Sequence, residues 1–189
     1  MTPLTRQEFT AALAGVRGLL RFDLRAFAHF NATHDGFWKS FWAAAILAPL
    51  VAIGAVRSAI DHPPESLGRY AALQVIAYAL GWLVYPFAMV WIVDHLGRRE
   101  RYYGYFAAYN WFQLAETAAS TVLVLLGMTG ILSDDAAMFL FLVLQGVFLG
   151  YDWFIAKHAL GIESGTAAML VAIDFLLSLI ISWVSLALP

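Results

Sequence analysis

The sequence contains no cysteine and few charged residues. The absence of cysteine excludes disulfide bonds, thiol chemistry and cysteine metal sites. Charged residues make up 13% of the 189 residues and hydrophobic residues 62%, whereas soluble domains are about 25% charged. The net charge of −2 leaves no basic footprint for a nucleic acid. A chain of this composition is expected to have lipid as its main solvent.

The sequence also lacks the short motifs that carry phosphate, metal or acyl-transfer chemistry. It has no glycine-rich phosphate loop, no His-Glu-x-x-His and no Gly-x-Ser-x-Gly. Its five histidines are scattered over loop or interface positions. We therefore expect no metal, no cofactor and no enzymatic activity. An enzyme would need a site at the cytoplasmic interface around Asp94, His95, Asp152 and His158, which no spacing singles out.

Five apolar stretches are long enough to cross a bilayer. About 20 mainly apolar residues are needed to span a hydrocarbon core of roughly 30 Å. The predicted spans are residues 37–58, 70–94, 104–130, 135–157 and 165–188. The sequence therefore predicts an all-α, polytopic integral membrane protein, in which residues 35–189 form one five-helix transmembrane domain.

Residues 1–34 have an amphipathic pattern that differs from that of the spans. Six apolar residues share one helical face at spacings of three and four: Phe9, Leu13, Val16, Leu20, Leu24 and Phe27. Arg17, Arg21 and Arg25 flank this face, which predicts a cytoplasmic helix in the headgroup layer with its arginines toward anionic lipid. A helix packed under the bundle fits the same pattern. Because Asp23 projects near the apolar face, it must pair with a cation or the helix must dock on protein.

Basic residues are distributed unevenly between the two sides of the predicted bundle. With the N-terminus inside, only Arg57 and Arg69 are external, and nine of the eleven basic residues are cytoplasmic. The excess of positive charge predicts a cytoplasmic N-terminus and a periplasmic C-terminus. The alanine-rich, cysteine-free composition suits the inner membrane of a bacterium. Arg98 and Arg99 follow the second span. They either contact a lipid phosphate or form a plain stop-transfer cluster of charges.

Three acidic residues lie within the predicted spans, namely Glu116, Asp152 and Asp174. Ionisable groups at membrane depth are costly and usually face the bundle interior. Because no Lys or Arg lies at matching depth, at least one acid should be protonated, hydrated or bonded to neutral donors. Asn110 and Gln113 extend the polar stripe of Glu116 along its helix. We interpret these five residues as a polar path for protons or cations, or as interhelical hydrogen bonds that fix helix register.

Three segments resemble the Yip family of membrane proteins, which interact with Ypt and Rab GTPases, and especially its bacterial relatives. Asp35-Gly36-Phe37-Trp38 is similar to the family's Asp-Leu-Tyr-Gly-Pro-Phe/Trp motif ahead of the first span. Leu96-Gly97-Arg98-Arg99, followed by the tyrosine-rich residues 102–109, is similar to the second cytoplasmic connection. The run from Trp153 to Ile162 resembles the connection into the last span.

This resemblance covers most of the chain after His34 and implies a five-span, membrane-organising fold. The motif's Leu-Tyr pair and Pro are absent here, as is the long cytoplasmic N-terminal domain of eukaryotic members. GTPase binding and functional residues of the family are therefore not carried over.

Two classes of function remain open from the sequence. The first is a non-enzymatic membrane-organising factor or accessory subunit, with the bilayer and a membrane protein or second copy as partners. Small residues at Ala43–Ala45 or Ala167–Ala168 would form its partner seam. The second is a small proton- or cation-linked transporter or channel that uses the intramembrane carboxylates. A shared water-filled cavity at Glu116 and Asp174 would favour the second class, and separate bonds across a dry seam the first.

Overall fold

The computed structural model describes residues 3–187, which form seven α-helices, two 3₁₀ helices and no strand. The α-helices are α1 (Arg6–Leu19), α2 (His34–Ser40), α3 (Trp42–Asp61), α4 (Leu67–His95), α5 (Tyr102–Met128), α6 (Asp134–Leu160) and α7 (Ser164–Ala187). The 3₁₀ helices are Leu24–His29 and Arg99–Arg101.

Five of these segments are long and apolar enough to cross a membrane: α2 with α3, and each of α4, α5, α6 and α7. Within each helix the backbone hydrogen bonds are satisfied locally, which is what a lipid environment demands. The prediction of an all-α, five-span membrane protein with an N-terminal helix is confirmed.

The central helix of the bundle is α5, which packs against α1, α2, α3, α4 and α6. The last helix, α7, lies between α6 and α4. Two tyrosines of α4 reach α3: the hydroxyl of Tyr70 donates to the carbonyl of Ala55 at 2.9 Å, and that of Tyr78 to the carbonyl of Ala44 at 2.6 Å. These bonds tie α3 to α4 across a gap that the two backbones leave between them.

Large buried side chains concentrate at one end of the bundle, which we call the capped end because α1 and α2 lie there. They are Leu19, Met89, Val93, Tyr105, Phe106, Phe112, Ile155, Leu160 and Leu170. At the opposite, open end, α5 and α6 expose apolar side chains such as Val122, Met138 and Phe139. The two ends therefore differ in packing: the capped end is sealed by side chains, whereas the open end turns its apolar surface toward lipid.

The alanine seams expected to face a partner lie partly inside the bundle. Ala43 and Ala167 are both fully buried, because small side chains let helices of the same chain approach closely. Their packing within the chain removes these two residues from the predicted intermolecular seam.

The N-terminal helix docks on protein through one face. Thr5 and Glu8 form a capping box at its start, and Ala12, Val16 and Leu19 are buried. Leu13, Leu20 and Leu24 are exposed, so their expected contact with lipid stays a prediction. The helix ends at Leu19, and residues beyond it therefore leave the helical register on which the predicted continuous face rested.

An aromatic contact with α6 holds the turn after α1. Phe22 adopts a positive φ of 55°, uncommon for a bulky residue, and its ring stacks on Tyr151 of α6 with centroids 4.6 Å apart. Asp23 then caps the 3₁₀ helix Leu24–His29, accepting a hydrogen bond from the backbone N–H of Arg25 at 2.9 Å. Of the two arrangements expected from the position of Asp23, the structure therefore shows the one in which the N-terminal helix docks on protein.

The predicted first span, 37–58, is not one continuous helix, because α2 ends at Ser40 and α3 begins at Trp42. The Ser40 hydroxyl donates to the carbonyl of Phe37 at 2.6 Å, a side-chain bond to the preceding turn of the type that bends helices. The same oxygen accepts from Nδ2 of Asn110 on α5 at 2.8 Å. The bend is thus fixed against the central helix.

A buried lysine joins α1 to α2. Lys39 is 8% exposed, and its Nζ lies 2.6 Å from Oε1 of Glu8 and 2.8 Å from Oδ2 of Asp35. Glu8 also closes the capping box with Thr5, so one carboxylate both starts α1 and fastens it to the bundle.

Replacing Lys39 with Ala should loosen this attachment, because Glu8 then loses its cation. We expect a lower melting temperature in detergent and faster maleimide labelling of an Ala12→Cys reporter, which is unique in this cysteine-free chain. Arg57→Ala, which breaks the exposed Arg57–Asp61 pair, is the matched control and should change neither. Unchanged labelling in Lys39→Ala would contradict this role.

Acidification should weaken the same attachment. The hydrogen bond from Lys39 holds the pKa of Glu8 below its ordinary value of 4.5, with bonds to Thr5 adding to the effect. A carboxyl with a lowered pKa stabilises the folded state above its unfolded-state pKa and loses this contribution as the pH falls through the lowered value. Below pH 4.5, the melting temperature of the wild type should fall more steeply than that of Glu8→Gln, and parallel curves would argue against this linkage.

Candidate functional site

The three intramembrane acids meet in the middle of the bundle. Because α5, α6 and α7 pack in sequence, they bring together Glu116, Asp152 and Asp174, one from each helix. The side chains of Glu116 and Asp152 are close enough to interact directly, and Asp174 lies within electrostatic reach of both. The three acids of the predicted spans therefore form one cluster.

The cluster has few partners in the rest of the protein. Oδ2 of Asp174 accepts a hydrogen bond from the hydroxyl of Tyr109 at 2.6 Å. Oε1 of Glu116 and Oδ1 of Asp152 are buried and receive no hydrogen bond within residues 3–187. None of the ion pairs formed in that part of the chain includes these acids. The cluster therefore has no cationic side chain to balance it.

The contact between Glu116 and Asp152 has a chemical consequence. An ionised carboxylate can only accept hydrogen bonds, whereas a protonated one can also donate. Two carboxylates that share a buried site repel each other, so one of them keeps a proton. A direct hydrogen bond between these two side chains would therefore need a proton on one of them.

A layer of tyrosines lies between the cluster and the capped end. The hydroxyls of Tyr85 on α4 and Tyr105 on α5 are 2.7 Å apart, and both side chains are buried. Tyr109 packs against both, with ring centroids 5.5 Å from Tyr85 and 5.8 Å from Tyr105. From the sequence alone, Tyr102, Tyr103 and Tyr105 are expected near the cytoplasmic interface, where aromatic side chains are favoured. The spacing of four between Tyr105 and Tyr109, continuing toward Gln113 and Glu116, was the signal that could have placed these two tyrosines on the interior face.

A polar cavity of about 320 Å³ lies on the other side of this layer. It is enclosed by α3, α4, α5 and α7, and we call it the central cavity. Its polar lining residues are Gln74, Tyr78, Tyr109, Asn110, Gln113, Thr117, Ser178, Ser182 and Ser185. Gln74 lies near the start of α4 and Ser185 near the end of α7, so the cavity extends toward the open end.

A second polar cavity, of about 350 Å³, contains the cluster's Glu116. This side cavity lies between α3, α5 and α6. It shares Val51, Gln113 and Thr117 with the central cavity. Asp174 lines neither, although its partner Tyr109 lines the central cavity. Glu116 and Asp174 therefore do not face one shared cavity. They border two adjoining ones, Glu116 directly and Asp174 through Tyr109, so the arrangement is neither the shared cavity expected for a transporter nor the dry seam expected for an accessory subunit.

The predicted polar stripe on α5 divides into two roles. Asn110 is fully buried and binds Ser40, whereas Glu116 faces Asp152 of α6. Six residues separate them, which corresponds to a rotation of about 240° around a helix. Gln113 lies between them and lines both cavities. Asn110 thus fixes the bend between α2 and α3, and Gln113 remains on the polar path.

The arginines predicted to contact lipid are at the capped end. Arg17, Arg21 and Arg25 are exposed around a surface depression of about 550 Å³. In the turn after α4, Nη1 of Arg99 lies 3.6 Å from Oδ1 of Asp94, and Nε of Arg98 is buried without a partner within the described residues. Their contact with headgroups stays a prediction.

The residues considered for an enzyme are not gathered into a site. Asp94 pairs with Arg99, Nδ1 of His95 is 2.8 Å from the carbonyl of Trp91, and His158 packs on Phe154. Asp152 belongs to the carboxyl cluster. Within residues 3–187, no group of three His, Asp or Glu side chains is arranged to hold a metal ion.

Comparisons with known proteins leave the interpretation to the structure. A scan against protein-family models and searches of curated proteins and of solved structures give no match. The fold and the carboxyl cluster must therefore carry any statement about function.

The Tyr109–Asp174 bond should contribute to stability. Tyr109→Phe removes the hydroxyl that Asp174 accepts from and should lower the free energy of unfolding by about 1 kcal/mol, a size typical of polar contacts between membrane helices. Tyr103→Phe is the control, because within the described residues the Tyr103 hydroxyl forms no hydrogen bond. Equal effects in chemical unfolding of the two variants would contradict the assignment.

Proposed function

We propose that this protein is a non-enzymatic, proton-linked transporter or channel of a bacterial inner membrane. The single observation that carries the proposal is the carboxyl cluster, in which buried oxygens of Glu116 and Asp152 receive no hydrogen bond and no cation pairs with them within residues 3–187. A buried acid without a cationic partner is costly in a membrane, and such a cost is characteristic of residues that bind and release protons.

The cavities supply a route between the cluster and one side of the membrane. The central and side cavities share Gln113 and Thr117 in their linings and extend toward the open end. On the other side, Tyr85 and Tyr105 close the path to the capped end. This asymmetry supports a state in which the cluster exchanges protons with the open end and is shielded from the capped end.

We propose that the capped end is cytoplasmic. It carries the nine basic residues that the charge rule assigns to the inside, and the open end carries Arg57 and Arg69. The C-terminus is then periplasmic. The relationship to the Yip family is also a proposal, supported by the three resembling segments.

A second candidate function is a membrane-organising factor or an accessory subunit of a membrane complex. It is favoured by the outer face of the N-terminal segment, where Leu13, Leu20 and Leu24 are 41, 42 and 54% exposed beside arginines. Exposed apolar residues grouped in this way mark contact with a membrane or a partner. Purification in a mild detergent with mass spectrometry of bound proteins tests it: a stoichiometric partner would favour this function.

Proton movement through the protein should depend on the cluster. In proteoliposomes that contain a pH-sensitive dye, an imposed membrane potential should drive proton entry through the wild type. Glu116→Gln and Asp174→Asn should each reduce the rate by about tenfold or more, because an amide cannot release a proton at neutral pH. The proposal predicts no change for Asp61→Asn, which lies in an exposed ion pair at the open end.

Two results would contradict the proposal. One is proton entry equal to that of protein-free vesicles in the wild type, and the other is full activity in both cluster variants. Folding of each variant is checked by its melting temperature, so that loss of protein is not mistaken for loss of function.

A further inference from the structure

An apolar groove runs along the outside of the bundle at the capped end. It has a volume of about 600 Å³ and lies between α4 and the region where α2 meets α3. Its side chains are almost all aromatic or aliphatic and include Phe37, Trp38, Phe41, Leu83, Phe87 and Val90. We call this the α2–α4 groove. It is separate from the polar cavities at the carboxyl cluster, and nothing in the proton pathway uses it.

Most polar atoms along the groove are already paired within the protein. Nε1 of Trp38 donates to Nε2 of His34 at 2.9 Å, and the hydroxyl of Tyr102 donates to the carbonyl of Pro86 at 3.0 Å. The Tyr103 hydroxyl, which forms no hydrogen bond within the described residues, is the exception, so an occupant meets a mainly apolar surface with few hydrogen bonds to gain. A hydrocarbon chain suits such a surface, whereas a peptide would bury unpaired backbone groups.

The depth of the groove matches the acyl region of one leaflet. On α4 it extends from Leu83 to Val90, which are twelve and five residues before the end of the helix at His95. At 1.5 Å per residue these positions lie roughly 18 and 8 Å below the end of the helix. A lipid chain entering from the headgroup layer would run along this length.

The upper end of the groove carries positive charge. Asp94 follows Val90 by four residues and so lies on the same face of α4, and Arg99 reaches it at 3.6 Å. The Arg99 side chain remains 81% exposed, with guanidinium donors left for another acceptor. Arg98 belongs to the same turn, so two arginines face Asp94 there, whereas the Arg101 guanidinium lies beside Gly161 of the α6–α7 connection and is not counted.

We propose that the α2–α4 groove binds one anionic phospholipid of the leaflet at the capped end. One acyl chain lies between α4 and the α2–α3 bend, and the phosphate binds Arg99 with support from Arg98. Charge complementarity selects this occupant over a zwitterionic lipid, because the basic turn has a net positive charge at headgroup level.

The test compares lipid retention by the intact, detergent-purified protein in native mass spectrometry. The probes are phosphatidylglycerol and phosphatidylcholine, each added at the same concentration in mixed micelles. We expect the wild type to hold one phosphatidylglycerol per chain, about tenfold more tightly than phosphatidylcholine. Leu83→Trp fills the groove and should abolish retention of both lipids. The Arg98→Gln, Arg99→Gln double variant should lose the preference and keep the weak binding.

Matched controls separate the groove from the rest of the lipid-facing surface. Leu142→Trp makes the same change at an exposed position of α6, and Arg57→Gln removes an arginine at the open end. Both should behave like the wild type. Val90→Trp provides a second filled groove if Leu83→Trp lowers the melting temperature. Equal retention of the two lipids by the wild type, or retention in the filled-groove variants equal to that of Leu142→Trp, would overturn the proposal.

Discussion

The contact between the side chains of Glu116 and Asp152 is the interaction on which the rest of this account depends. Two acids can share a low-dielectric site only if a proton lies on the pair, and neither acid has a cationic partner among the described ion pairs. Two features of the surrounding bundle bear on the acids: a neutral hydrogen-bond donor and nearby polar cavities. Tyr109 supplies a neutral donor to the third acid, Asp174, at 2.6 Å, and polar cavities reach the pair from one side only.

The two ends of the bundle differ in packing and in polar space. At the capped end, close packing of aromatic side chains, the Tyr85–Tyr105 contact and the docked helix α1 exclude water from the cluster. At the open end, α3 and α4 are joined mainly through tyrosine hydroxyls, and polar space remains between them. Side chains fill the capped end, whereas the cavity that Glu116 lines extends toward the open end.

The sequence was sufficient for those features that depend on composition and length. Five spans follow from apolar runs of bilayer length, and the three acids stand out because ionisable residues are rare at that depth. Their contact could not be predicted, since it depends on which helices are neighbours. The hydrogen bond of Tyr109 could not be predicted for the same reason, since its acceptor Asp174 lies on another helix. The end of α1 at Leu19 was not predicted, because nothing local indicated the positive φ at Phe22.

Infrared difference spectroscopy of the reconstituted protein tests the central claim most directly. A protonated carboxyl has a carbonyl stretching band separate from that of a carboxylate, and the band shifts on exchange into deuterated water. We predict that the wild type at neutral pH shows such a band, and that it is lost or strongly altered in Glu116→Gln and in Asp152→Asn but kept in Asp61→Asn. A wild-type spectrum without a protonated carboxyl, or a band unchanged in both cluster variants, would contradict the account.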